Sequence, residues 1–243
     1  MTTKGSGRSS ARTQPAKPAL SRAAIVEATL ALIDENGLAA VSMRKVATRL
    51  DTAAASLYVY VDDRKDLFEA AYDLALAEVL TSTAVEGPWR EQLQRIVFDQ
   101  IEVLASHNDI ALVALADAQI GSNSLRVTER ILSLLRSGGV ADDACIAAAD
   151  LLDQFVTSSA IEQAAWSRDA LSARAKDPTS ASGEAMITSA AGRIEAAYDA
   201  VSADDFPAIT ALKPHLTSAD PADRRAWKFN AVLDGVTAAS RST

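Results

Sequence analysis

The chain begins with a polar stretch and then changes to apolar residues at helical spacing. Residues 1–18 are rich in Ser, Thr, Gly, Pro and Lys and contain almost no large apolar side chain. Such a segment cannot bury enough surface to offset the entropy lost on ordering, so we expect a disordered basic tail. From Ser21 onward, apolar residues recur every three or four positions, which predicts helices.

Three short helices are predicted first. Ser21 can cap the first helix, and Gly37 is placed to end it. Ser42 can cap the second, and a break at 51–53 separates it from a third at 54–58. Two short helices joined by about three residues are typical of a helix-turn-helix, whose second helix enters the major groove of DNA.

The rest of the chain predicts a larger helical body. A long helix begins after Asp62-Asp63, and later helices are expected near residues 88–106, 109–121, 122–138, 142–166, 184–203 and 222–239. Asp109 is expected to cap the second of these. The polar stretch 168–183 is predicted to be a loop because it contains Pro178 and Gly183. Phe206-Pro207 and Lys213-Pro214 are expected to separate the last two helices.

Charge is distributed unevenly along the chain. The net charge is −8, yet residues 1–67 hold ten Lys and Arg against seven Asp and Glu. An acidic protein with a basic amino end suggests a small module that faces a polyanion, carried on an acidic body. A merely solvated basic tail is the alternative that charge alone leaves open.

The residues of the third helix suit close contact with DNA. Small side chains let the helix end approach the double helix, and Tyr58 and Tyr60 carry hydroxyl groups that can reach phosphates. Leu57 is expected to pack on the first helix instead. The residues expected to contact DNA are Ser42, Arg44, Ala54, Ala55, Ser56, Tyr58, Val59, Tyr60, Arg64 and Lys65.

Residues 21–74, above all the segments 41–50 and 56–68, resemble the amino-terminal DNA-binding domain of the tetracycline-repressor (TetR) family. The positions that carry the resemblance are Leu57, Tyr58, Tyr60, Val61 and Leu67. The chain departs from the family at Asp51, where a turn glycine is usual. It departs again at Arg64, where the family usually has a lysine that contacts phosphate.

The resemblance implies an all-α protein with two domains. A three-helix helix-turn-helix domain at 19–67 would join a larger effector-binding and dimerisation domain at 68–243. The implied function is a ligand-responsive transcriptional regulator, a repressor that binds a palindromic double-stranded DNA operator as a homodimer and is released by a small-molecule effector. By the same resemblance, helices 142–166 and 222–239 would form the dimer interface. A helical protein-interaction module without DNA binding is the alternative.

An effector cavity between helices would be largely apolar with a few polar groups, so a partly apolar effector is expected. The candidate residues are Phe98, His107, Gln119, Gln154, Phe155, Glu162 and Trp166. Each of them, taken alone, fits a core or surface position better than a ligand contact. Ile96 and Gln100 stand where the tetracycline repressor has Asn and Phe, so tetracycline itself is not expected.

Catalytic chemistry finds no support in the sequence. His107 and His215 are far apart, Cys145 is the single cysteine, and no metal-binding or phosphate-loop motif occurs. We therefore expect no enzyme activity, no cofactor and no metal. The amino end lacks the apolar core of a signal peptide and no apolar run reaches membrane-spanning length, so a cytoplasmic protein without membrane association is expected.

Overall fold

The computed structural model describes residues 19–81, 86–116, 120–176, 190–218 and 220–240, which contain α-helices and no strand. This confirms the all-α prediction for the described part of the chain. The predicted tail at 1–18 lies outside these residues, as do 184–189 of a predicted helix.

Three short helices form an amino-terminal unit: α1 (Arg22–Asn36), α2 (Met43–Arg49) and α3 (Ala54–Leu57). A single 3-10 turn at Leu38–Ala40 joins α1 to α2. The next helix, α4 (Arg64–Thr81), packs against α1 and also against the helices that follow it. α4 therefore takes part in the packing of both the amino-terminal unit and the body.

Short-range chemistry sets the ends of these helices as predicted. The Ser21 hydroxyl accepts a hydrogen bond from the Ala24 amide, and Ser42 accepts one from Lys45. Gly37 ends α1 with a φ of 76° and donates to the Ile33 carbonyl. Asp51, at a φ of 50°, makes the left-handed turn between α2 and α3.

The body consists of α5 (Trp89–Ser106), a 3-10 helix (Ile110–Leu115), α6 (Ser122–Ser137), α7 (Asp142–Lys176), α8 (Ala190–Asp199), α9 (Pro207–Ser218) and α10 (Pro221–Ala239). α5 and α7 pack against each other most extensively, α6 packs on α4 and α5, and α10 packs on α7. One continuous apolar core runs from Ile25 and Leu57 in the amino-terminal unit to Leu93 and Leu152 in the body. A fully buried side chain of this size contributes about 1.5–3 kcal/mol, so the core ties the two parts together.

The helix predicted at 109–121 is confirmed only in part. Its described helical residues, Ile110–Leu115, form a 3-10 helix, and Asp109 stands at the N-cap position without a capping hydrogen bond from its side chain. The Asp109 carboxylate pairs instead with Arg168 on α7, and Asn108 just before it has a φ of 51°, which breaks the helical path.

Two other boundaries also differ from the prediction. α7 runs to Lys176, so the first half of the predicted loop is helical, because no proline or glycine occurs before Pro178. Residues predicted to separate the last helices form α9, which begins at Pro207 and contains Pro214. Proline at the first helical position costs nothing, since its missing amide would have no partner there.

Over Asp142–Arg168, α7 is long and apolar enough to cross a membrane by length and composition alone. Within the described part of the chain it packs on α5, α6 and α10, and 33% of the apolar window is buried.

Candidate nucleic-acid interface

Residues 53–60, which we call the recognition segment, present aromatic and small side chains to solvent. Leu57 is completely buried and anchors the segment to the core. Tyr58 is 55% exposed, Val59 79% and Tyr60 36%. The chain leaves the α-helix at Leu57, so these three residues lie in the turn that follows α3. The segment is therefore exposed to solvent, and the buried Leu57 side chain attaches it to the core.

The small residues of the recognition segment differ in accessibility. Ala55 is exposed, whereas Ala54 and Ser56 are half-buried and Ala54 packs against the core. Of the three, Ala55 offers the most open approach to a second molecule.

At the start of α2, Ser42 and Arg44 are both exposed. The Ser42 hydroxyl caps the helix, and no hydrogen bond or ion pair joins the Arg44 guanidinium to a side chain in the described ranges. Arg49 on the same helix is different, because its Nη1 donates to both carboxylate oxygens of Glu35 at 2.7 and 2.8 Å. Arg44 is thus the α2 arginine available to an external anion.

The two cations at the start of α4 are already engaged within the protein. Arg64 donates to the Leu38 carbonyl at 3.2 Å, and its guanidinium lies 4.6 Å from the centre of the Phe68 ring. The Lys65 ammonium lies 3.5 Å from Glu69. Both side chains remain exposed, so they add positive charge beside the recognition segment.

Arg22, which no motif in the sequence singles out, holds the recognition segment in place. Arg22 donates to the Tyr60 carbonyl at 2.9 Å and to both carboxylate oxygens of Asp66 at 2.7 and 3.2 Å. The hydrogen bonds between them raise the pKa of Arg22 and lower the pKa of Asp66. Asp66 also accepts from the Asp62 amide at 3.0 Å. The pair fastens the first turn of α1 to the end of the recognition segment and to α4.

The turn at 107–109 joins the amino-terminal unit to the body. Asn108 donates to the Ile33 carbonyl at 3.3 Å near the end of α1. The His107 ring lies with Nδ1 3.0 Å from Asp34 and Nε2 3.3 Å from Glu78. His107, expected in an effector cavity, thus contacts α1 and α4 at this junction instead.

A cavity of about 490 Å³ lies between α4, α5, α6, α7 and the 3-10 helix. Its polar lining consists of Tyr72, Gln100, Ser124, Thr128, Asp150 and Asp153. None of the six predicted effector residues that the structure describes is among its lining residues, although Phe98, Gln154 and Phe155 lie on α5 and α7, which border it.

Of the predicted effector residues that the structure describes, only Glu162 and Trp166 line a common cleft. Phe98 packs edge-on against Phe229 with ring centres 5.7 Å apart, Phe155 packs on the core, and Gln154 donates to Asp150 on the surface. Glu162 and Trp166 line a second cleft of about 440 Å³ between α7 and α10. Gln119 lies outside the described residues.

Asp73 of α4 caps the amino end of α6 from a different helix. One of its carboxylate oxygens accepts from the Asn123 and Ser124 amides at 2.9 Å each, and from the Ser124 hydroxyl at 3.1 Å. Asn123 also donates to the Asp73 carbonyl at 2.9 Å. Ser124 lines the cavity as well, so this cap connects the cavity wall to the helix shared with the amino-terminal unit.

Two family models match the chain and together cover most of it. Residues 25–71 match the bacterial regulatory proteins of the tetR family, and residues 83–239 match the tetracyclin repressor-like C-terminal domain.

Named relatives and solved structures agree with these models. The chain is 29% identical over 150 residues to an HTH-type transcriptional regulator of Saccharopolyspora erythraea, covering 62% of this chain and 64% of the relative. It is 28% identical over 148 residues to the HTH-type transcriptional repressor DrrR1 of Streptomyces coeruleorubidus, covering 60% and 55%. The matches thus span less than two thirds of either relative. The crystal structure of ActR from Streptomyces coelicolor in complex with actinorhodin superimposes with a TM-score of 0.75 at 29% identity, over 92% of this chain and 98% of ActR.

Proposed function

Because the chain belongs to the TetR family of bacterial regulatory proteins, we propose that it is a ligand-responsive transcriptional repressor that binds a palindromic operator as a homodimer. The observation that carries this proposal is the outward presentation of Tyr58, Val59 and Tyr60 on the buried anchor Leu57. A segment that served only to pack would bury its aromatic side chains.

The recognition segment enters the major groove, and the start of α2 holds the phosphate backbone. Arg44 pairs with a phosphate, and the hydroxyl groups of Tyr58 and Tyr60 donate to others. Ala55 and Val59 contact base edges and thymine methyl groups. With no Asn or Gln on α3, two-point base recognition is scarce, so apolar contact and DNA shape carry much of the specificity.

The protein acts as a two-fold dimer formed through α7 and α10. Three large apolar side chains on these helices are exposed: Ile146 at 64%, Leu151 at 45% and Trp227 at 71%. A partner that covers them places two recognition segments on one operator, and two half-sites give an affinity that one short helix-turn-helix cannot reach.

The effector binds in the cavity between α4 and α7. α6 forms one wall, and the Asp73 cap passes a displacement of α6 to α4, on which the amino-terminal unit rests. In the effector-bound conformation, the two recognition segments of the dimer lie too far apart for the operator. An effector releases DNA only by binding this conformation more tightly than the DNA-binding conformation. A ligand-bound relative, ActR with actinorhodin, supports effector control of this kind.

This function places the protein in the cytoplasm, where chromosomal DNA lies, as a regulator and not an enzyme. The named relatives are both transcriptional regulators, which disfavours the alternative of a protein-interaction module without DNA binding.

The test removes the two phenol hydroxyl groups of the recognition segment and nothing else. A Tyr58→Phe/Tyr60→Phe double variant should bind DNA from upstream of the gene about thirtyfold more weakly, because each of the two lost hydrogen bonds to a phosphate costs about 1 kcal/mol. Fluorescence anisotropy of labelled DNA at fixed salt measures the loss. Tyr198→Phe on α8 is the matched control and should bind like the wild type. Equal affinity of all three proteins would remove the tyrosines from the interface.

A further inference from the structure

The cavity between α4 and α7 carries acidic side chains without a matching base. Asp150 and Asp153 line it from α7, three positions apart and therefore on neighbouring parts of one helical face. No Lys, Arg or His is among the lining residues that the structure describes. Both aspartate side chains are also solvent-exposed, so the negative charge lies at the mouth of the cavity.

Two uncharged polar side chains in this cavity are more than nine-tenths buried. Tyr72 is 3% exposed, and its hydroxyl makes no hydrogen bond to any residue of the described ranges. Gln100 is 6% exposed and donates to the Ile96 carbonyl at 3.3 Å, which leaves its side-chain oxygen open to the cavity. Neither oxygen is among the buried atoms without a partner in the described residues, so both are accessible from the cavity and available to a molecule bound there.

The electrostatic surroundings of the two carboxylates also favour a bound molecule in the cavity. Burial raises the pKa of Asp153, and the negative charge of Asp150 raises it further. Burial also raises the pKa of Tyr72, with smaller contributions from Asp153 and Asp73, which places the phenol near the carboxylate. No cation of the described residues offsets the charge of Asp153, so a positively charged group in the cavity would be attracted to it.

The remaining walls are apolar. Leu76 on α4, Val127 and Ile131 on α6 and Leu152 and Val156 on α7 face the same space. They favour a ligand with an apolar body, since transfer of that body out of water supplies most of the binding free energy.

We propose that the effector is an organic cation, with a protonated amine or quaternary nitrogen directed at Asp153 and Asp150 and an apolar body between α4, α6 and α7. Tyr72 and Gln100 hydrogen-bond its polar groups. The inference rests on the proposed function in taking this cavity as the effector site. An anion of the same shape meets two carboxylates with no compensating base, so it is excluded by charge and not by size.

Two dyes with the same ring frame and opposite charge test the proposal. The cation rhodamine 123 and the anion fluorescein are titrated against the full-length protein in the absence of DNA, with fluorescence anisotropy as the measurement. Rhodamine 123 should bind at least about tenfold more tightly than fluorescein. Calorimetry measures the binding of benzyltrimethylammonium, a smaller cation, in case the entrance of the cavity is too narrow for the dyes.

Matched variants locate the binding and separate it from the general negative charge of the protein. Asp153→Asn should weaken rhodamine 123 about tenfold. Asp205→Asn, which removes an equal charge from an exposed position, should leave the affinity unchanged. Thermal unfolding checks that each variant is folded, and Asp150→Asn serves if Asp153→Asn unfolds.

Three results would overturn the proposal: equal affinity for the two dyes, no effect of the carboxylate variants, or no binding of either cation. DNA binding is measured separately. A protein that binds the cation but no operator would contradict the proposed function while keeping the chemistry of the cavity.

Discussion

At the scale of single residues, Arg44 and Arg49 share helix α2 but differ in what they contact. Arg49 pairs with Glu35, whereas Arg44 has no side-chain partner in the described part of the chain. Arg44→Ala should therefore weaken binding to all DNA sequences and lower the slope of log affinity against log salt by about one. Arg49→Ala should change the slope much less. Affinity titrations at several salt concentrations measure both slopes, and identical slopes for the two variants would remove Arg44 from the phosphate contacts.

Asp66 makes a pH-dependent contribution to stability. Its pKa is lowered in the folded protein by the hydrogen bonds from Arg22, so the ionised form stabilises the fold above the unfolded pKa of about 3.9. That stability is lost as the pH falls through the folded pKa. Asp66→Asn should thus be less stable than the wild type at pH 7, and the difference should shrink below about pH 4. Urea unfolding between pH 7 and 3 measures it. A difference that stays constant over this range would contradict the role of the ion pair, and Asp205→Asn is the control.

Single residues show where prediction from sequence succeeds and where it stops. Leu57 could be predicted to be buried and Tyr58 and Tyr60 to be exposed, because an apolar side chain packs on the core whereas the phenol hydroxyl groups suit contact with phosphates. The pairing of Arg22 with Asp66 could not be predicted, since 44 positions separate the partners and only the packing of α1 on α4 brings them together.

At the scale of elements, the cap that Asp73 places on α6 is the clearest link between helices. Asp73→Ala leaves two amides at the start of α6 without their acceptor and should lower the free energy of unfolding by about 1–2 kcal/mol. Urea unfolding of the variant, with Asp205→Ala as an exposed control, measures the loss.

The same Asp73→Ala variant should also reduce the change in DNA affinity that the effector causes, because a displacement of α6 is then no longer transmitted to α4. An Asp73→Ala protein as stable as the wild type would show that the cap is unimportant. Unchanged stability together with unchanged coupling would contradict both parts of the prediction.

Element boundaries were predictable where local chemistry sets them. Ser21, Ser42 and Gly37 set helix ends through contacts within four residues, and all three predictions are confirmed. The stretch after Asp109 was not predictable in this way, because its carboxylate pairs with Arg168 about sixty residues away instead of capping a helix.

At the scale of the whole molecule, dimerisation through α7 and α10 predicts a sharp effect of one exposed tryptophan. Trp227→Glu places a charge where a partner would bury an apolar ring, and should shift the protein from dimer to monomer. Light scattering after size-exclusion chromatography measures the mass. Leu125→Glu, on the exposed face of α6, is the control and should remain dimeric.

Operator affinity should fall with the loss of the dimer, because each monomer then holds one half-site. A monomeric Trp227→Glu protein with wild-type affinity would contradict the two-fold arrangement.

The two-domain helical architecture was predictable because apolar periodicity and a short family resemblance both pointed to it. The cavity was not, since Tyr72, Gln100 and Asp153 come from three helices and each alone has an ordinary helical position. These three residues line one cavity only because α4, α5 and α7 pack together.

Selection of bound duplexes from a random pool, followed by sequencing, tests the central claim most directly. A homodimer that inserts two recognition segments enriches inverted repeats whose half-sites lie about one helical turn or somewhat more apart. The Arg44→Ala protein should enrich the same repeats with lower yield. A pool that shows no enriched sequence, or a single unrepeated site, would contradict the account.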